Sequence, residues 1–75
     1  MSSDSEERNE PIAFHDYYIV ASTDLALLVR AEDAADTSAV WIPRSQTEVT
    51  RGHAERKSTI SFEIPRWLAE AKDMA

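Results

Sequence analysis

The sequence predicts an α+β fold: a small antiparallel four-stranded sheet, or open barrel, with one C-terminal helix. Three observations predict it. Ile60, Phe62 and Ile64 alternate with Ser61 and Glu63, the period of a half-buried strand. Phe14, Tyr17, Tyr18, Ile19 and Val20 are aromatic and β-branched types that suit a pleated surface. Pro65 suits the first position of a helix, and Trp67, Leu68, Ala71 and Met74 then follow at helical spacing.

The elements can be read in order. Residues 1–11 carry no large apolar group after Met1 and so bury too little to offset their ordering entropy. They are expected to be a mobile acidic arm, with one domain over residues 12–75. The aromatic segment Phe14–Val20 is the first strand, and Ser22-Thr23-Asp24 reads as a turn. In Leu25–Val29 two signals compete: Leu and Ala favour helix behind a Thr23 or Asp24 cap, while Leu25, Leu27 and Val29 alternate at period two. The short run before Arg30 favours a strand hairpin-linked to the first. Val40-Trp41-Ile42 is a third strand, stopped by Pro43, which cannot donate to a ladder. Arg44–Val49 leads into a polar stretch around Gly52, the only glycine. Ile60–Ile64 is the fourth strand, and the helix follows.

Composition bounds the function. A chain of 75 residues and 8.5 kDa makes one small domain, with 21 large apolar or aromatic side chains once its 11 Ala are set aside. Without Cys it has neither disulfides nor thiolate metal sites, which fits a reducing compartment. No apolar run approaches the roughly 20 residues of a membrane span, and MSSDSEERNEP lacks the features of a signal peptide. The expected location is the cytoplasm of a host cell. The net charge is −6, with pI about 4.7, opposite in sign to the usual nucleic-acid binder. Residues 1–36 hold nine acids and two bases, whereas residues 37–75 hold five acids and six bases.

Two segments carry a family resemblance. Trp41-Ile42-Pro43-Arg44-Ser45-Gln46, with Ile64-Pro65-Arg66-Trp67-Leu68-Ala69 downstream, resembles small proteins of phages and other mobile elements. In these a Trp-Ile-Pro-basic-Ser-Gln motif precedes an Ile-Pro-x-Trp-Leu-Ala helix. Thr23–Val29 matches the strand before that motif, so the resemblance covers about residues 16–72. It implies genomic context more than chemistry. The chain departs from the pattern at Ala34-Ala35-Asp36, where a Gly is usual, and in its basic loop Arg51–Lys57.

Catalytic groups are sparse. His15 and His53 stand far apart in sequence, and His15-Asp16 is a common dipeptide without a nucleophile beside it. Cations at Arg51, Arg56 and Lys57 oppose a metal at His53. Glu32, Asp33 and Asp36 lack the spacing and glycine of a calcium loop. One glycine is too few for a phosphate-cradling loop. These readings imply no enzyme, no metal and no cofactor.

The expected function is therefore binding. Asp24, Glu32, Asp33 and Asp36 are candidate contacts for a basic host protein that handles nucleic acid, inhibited as by an anti-CRISPR or DNA mimic. The alternative is a small accessory of phage replication or recombination that grips single strands. Trp41, Arg44, Arg51, Arg56 and Lys57 would be its contacts. A homodimer sharing edge strands is a further expectation, because the core is small.

Overall fold

The computed structural model describes residues 10–74. The proposed arm falls largely on residues 1–9, outside the described residues. Strand β1 runs Pro11–Ser22, β2 Ala26–Ala31, β3 Val40–Pro43, β4 Glu48–Arg51 and β5 Thr59–Pro65; helix α1 is Arg66–Ala71. Short 3-10 turns at Asp36–Ser38 and Arg44–Gln46 flank β3. All pairings are antiparallel, in the order β3-β2-β1-β5-β4. The sheet has five strands, not four. The additional strand, β4, lies in the polar segment after Gln46. Only Val49 of its four residues turns inward, opposite Phe62, so no apolar alternation announces it.

β1 is the central strand because it serves two partners in succession. Its first half pairs with β5, from Pro11↔Pro65 to Tyr18↔Thr59, and its second half pairs with β2, from Tyr17↔Ala31 to Ser22↔Leu27. A bulge between Phe14 and Tyr17 bends it, with Asp16 at φ 60. Asp is one of the few residues besides Gly that enters this left-handed region readily. The Asp16 carbonyl then accepts the Glu32 N–H at 3.2 Å, tying the bend to the β2–β3 loop.

The edge strands β3 and β4 are joined by residues 44–47 alone. In a flat sheet they would lie four strand spacings, about 19 Å, apart. That segment spans at most about 18 Å when extended, and three of its residues are coiled. The sheet must therefore curl until its edges approach, which encloses the inner face. On that face Ile19, Leu27, Val29, Ile42, Ile60, Phe62 and Ile64 are buried. Phe14, Tyr17 and Phe62 form an aromatic cluster with ring centroids 5.3 to 5.5 Å apart.

The strand reading of Leu27–Val29 matches the structure, but Leu25 lies in the turn and is 81% exposed. The Thr23 hydroxyl accepts the Ala26 N–H at 3.0 Å, a local bond that tightens the hairpin.

The helix differs from the expected two-turn stripe. Pro65 ends β5 and stands one residue before the helix, while the Arg66 N–H donates to the Glu10 carbonyl at 3.0 Å. With only six residues, α1 presents Leu68 and Ala69 to the core and leaves Trp67 and Ala71 exposed. Met74 reaches the core by a different route. Asp73, at φ 57, reverses the chain; its N–H donates to Glu70 O at 3.1 Å, and Met74 N–H donates to Ala69 O at 2.7 Å. This is the paired bonding of a Schellman ending, with Asp where Gly is usual.

Both sheet edges offer little to another strand. Arg44 N–H donates to Leu25 O, so in this register Ile42 and Val40 turn their backbone groups toward β2. Trp41 and Pro43 turn theirs outward. Pro43 has no N–H, and its carbonyl already accepts the Thr47 hydroxyl at 2.8 Å. β4 is four residues long, bulged at Thr50, and carries Glu48 and Arg51. Pro, bulges and charge are the devices that discourage edge pairing.

Candidate interaction surface

The four predicted acidic contacts are not one cluster. Asp24 sits in the β1–β2 turn, at the far end of β2 from Glu32, Asp33 and Asp36. The last three share the β2–β3 loop and are all exposed. Arg30, the last but one residue of β2, organises that loop. Its Nε donates to the Asp36 carboxylate at 2.6 Å, and its Nη1 donates to the carbonyls of Ala31 at 3.1 Å and Glu32 at 3.0 Å. Its guanidinium also lies 4.7 Å from the centroid of the Tyr18 ring, which is opposite Arg30 in the β1–β2 register. Asp36 is thus charge-paired, while Glu32 and Asp33 make no ion pair among the described residues.

The alternative set divides differently. Arg44 is committed to the fold: Nε donates to Thr23 O at 2.7 Å and Nη2 to Ala54 O at 3.2 Å. Arg51, Arg56 and Lys57 are exposed. Lys57 N–H donates to Ile19 O at 2.8 Å, so its loop lies beside the upper part of β1. Trp41 is 43% exposed on the outer face of β3, opposite Leu28.

Strand directions convert these positions into a charge map. The β1–β2 turn, the end of β3, the end of β4 and the β4–β5 loop share one end of the sheet. That end holds Arg44, Arg51, Arg56 and Lys57 against Asp24 and Glu55. The remaining described residues hold nine carboxylates against three cations. In space, charge is also segregated along the strand direction: the acidic β2–β3 loop of the first half and Glu48, Glu63, Glu70 and Asp73 of the second half lie away from the cationic end.

Tyr18, Leu28, Arg30 and Trp41 all face away from the core, on adjacent strands. The grouping of Tyr18 and Leu28 with Trp41 is not evident from the residue pattern; the available signal was the parity of Leu28 against Leu27 and Val29. His15 and Ser61, 46 residues apart, also meet, with Nδ1 and Oγ 3.4 Å apart. Among the described residues no carboxylate orients that imidazole, and Ser61 is only 7% exposed. No group of three or more His, Asp or Glu placed to hold a metal ion occurs among the described residues. No described helix is long and apolar enough to cross a membrane. In comparison with known proteins, no family model, no curated protein and no solved structure matches this chain.

Proposed function

We propose that this protein is a non-enzymatic interaction module that docks its acidic β2–β3 loop on a basic protein surface. The observation that supports this is the Arg30-organised loop, which holds Glu32 and Asp33 exposed beside Asp36 and without an ion pair among the described residues. A loop whose backbone is already held presents its carboxylates to a cationic partner with less ordering on binding than a mobile loop would. The concrete form we favour is inhibition of a nucleic-acid-handling host defence protein, in the manner of an anti-CRISPR or DNA mimic. The phage-protein resemblance of the Trp41–Gln46 and Ile64–Ala69 motifs supports that form.

The test is affinity purification from a host carrying such an element, with the E32Q/D33N/D36N variant in parallel. A basic protein captured by the parent chain and lost from the variant is expected. Absence of any protein partner, or a partner indifferent to the variant, would overturn the reading.

A second reading is supported by the exposed cations at the opposite end. Arg51, Arg56 and Lys57 are free of ion pairs among the described residues. They would hold a single strand by its phosphates, with an affinity falling steeply as salt rises. No retardation of single-stranded DNA at low salt would remove this alternative.

A further inference from the structure

We infer that the outer face of β1–β2–β3 seats a cationic amphipathic helix of the partner, with Trp41 and Leu28 as its apolar floor and Glu32 and Asp33 as its acidic rim. This rests on the acidic-loop reading above and names what that loop engages.

The surface has the chemistry of an interface centre. Trp41 and Leu28 are directly opposite in the β2–β3 register, and Tyr18 lies opposite Arg30 in the neighbouring pair. None of these side chains turns toward the core, and α1 packs on the other side of the sheet. Trp, Tyr and Arg are the residue types that dominate binding hot spots. The Arg30 charge is met by Asp36, so it does not oppose a cationic partner.

Geometry selects a helix over a strand. A strand would add to the β3 edge, but that edge offers only the backbone groups of Trp41, since Pro43 lacks an N–H and its carbonyl is taken. A face three strands wide matches a helix about 10–12 Å across. From Leu28 to Ala31, where the acidic loop begins, the strand rises about 10 Å. Two helical turns cover about 11 Å. One helix face with apolar groups two turns from Lys or Arg therefore meets both the Trp41–Leu28 floor and the Glu32–Asp33 rim.

The test uses the full chain with Trp67→Phe, so that fluorescence reports Trp41. The probes are a Leu/Lys peptide of roughly five helical turns, its sequence-scrambled form, and poly-lysine. The amphipathic peptide should bind about tenfold tighter than the scrambled one and shift Trp41 emission to shorter wavelength. With binding read by the anisotropy of dye-labelled peptide and dye-labelled poly-lysine, Trp41→Ser, and separately Leu28→Thr, should remove that advantage and leave poly-lysine binding unchanged, with melting curves confirming that each variant is folded. Equal binding of the two peptides, or no effect of either variant, would overturn the docking face. If poly-lysine binding is nonetheless lost in E32Q/D33N/D36N, the acidic loop keeps its role and only the face fails. Failure of every cationic probe to bind would overturn both.

Discussion

The Arg44 guanidinium clasps Thr23: Nε donates to the Thr23 carbonyl at 2.7 Å, while Nη2 reaches Ala54 O at 3.2 Å. One side chain therefore ties the β1–β2 turn to the β4–β5 loop across the end where the sheet edges approach. Lys keeps the charge but has no rigid fork to span two carbonyls. Arg44→Lys should lower unfolding stability by about 2 kcal/mol, read as a reduced urea midpoint. Single-stranded DNA affinity, if present, should not change, because Arg51, Arg56 and Lys57 retain their exposure.

Gly52 is required for two reasons. It sits at φ 85, and a Cβ there would lie 2.7 Å from the Thr59 carbonyl oxygen, a backbone atom that cannot swing aside. Gly52→Ala should cost about 1–3 kcal/mol. A clear fall in melting temperature checks it.

Glu48 and Glu63 face each other directly across β4 and β5. Like charges at opposed positions destabilise a sheet, and opposite charges support it. Glu48→Lys should therefore raise stability by about 0.5 kcal/mol, seen as a higher urea midpoint with an unchanged slope. No gain would mean that both side chains extend far enough into water to avoid one another.

Asp73 ends α1 in the left-handed region, where only Gly escapes the clash of a Cβ. Asp73→Gly should keep the bonds from 73 to Glu70 and from Met74 to Ala69 and add roughly 0.5 kcal/mol. A destabilised variant would show that the unfolded-state entropy of the new glycine outweighs the relieved strain.

Arg30→Gln should loosen the acidic loop more than it destabilises the fold. Asp36 is 70% exposed, so the ion pair itself contributes little. The bonds to Ala31 O and Glu32 O and the Tyr18 stack account for a loss of about 1 kcal/mol. Faster amide exchange at Glu32, whose N–H bonds Asp16 O, is the more sensitive readout.

The residue pattern determined the sheet-rich class, four of the five strands, the stop at Pro43 and the alternation that buries Ile60, Phe62 and Ile64. Those features are local: alternation over Ile60–Ile64, β-branched and aromatic clustering over Phe14–Val20, and the absent N–H of proline all act within a few residues. The fifth strand escaped because Glu48–Arg51 owes its extension to pairing with β5, not to its own apolar content. The helix stripe shifted because α1 stops after six residues and Met74 returns to the core through the Asp73 reversal, which no helical period describes.

The surfaces divide in the same way. Sequence alone placed Glu32, Asp33 and Asp36 in one loop, since they are neighbours along the chain. Tertiary structure separated Asp24 from them by the length of β2, withdrew Arg44 into hydrogen bonds, and brought Tyr18, Leu28 and Trp41 onto one face. The physical reason is register: once antiparallel pairing is fixed by burial of the inner side chains, every outward neighbour follows from the alternation of the pleat, across strands distant in the chain.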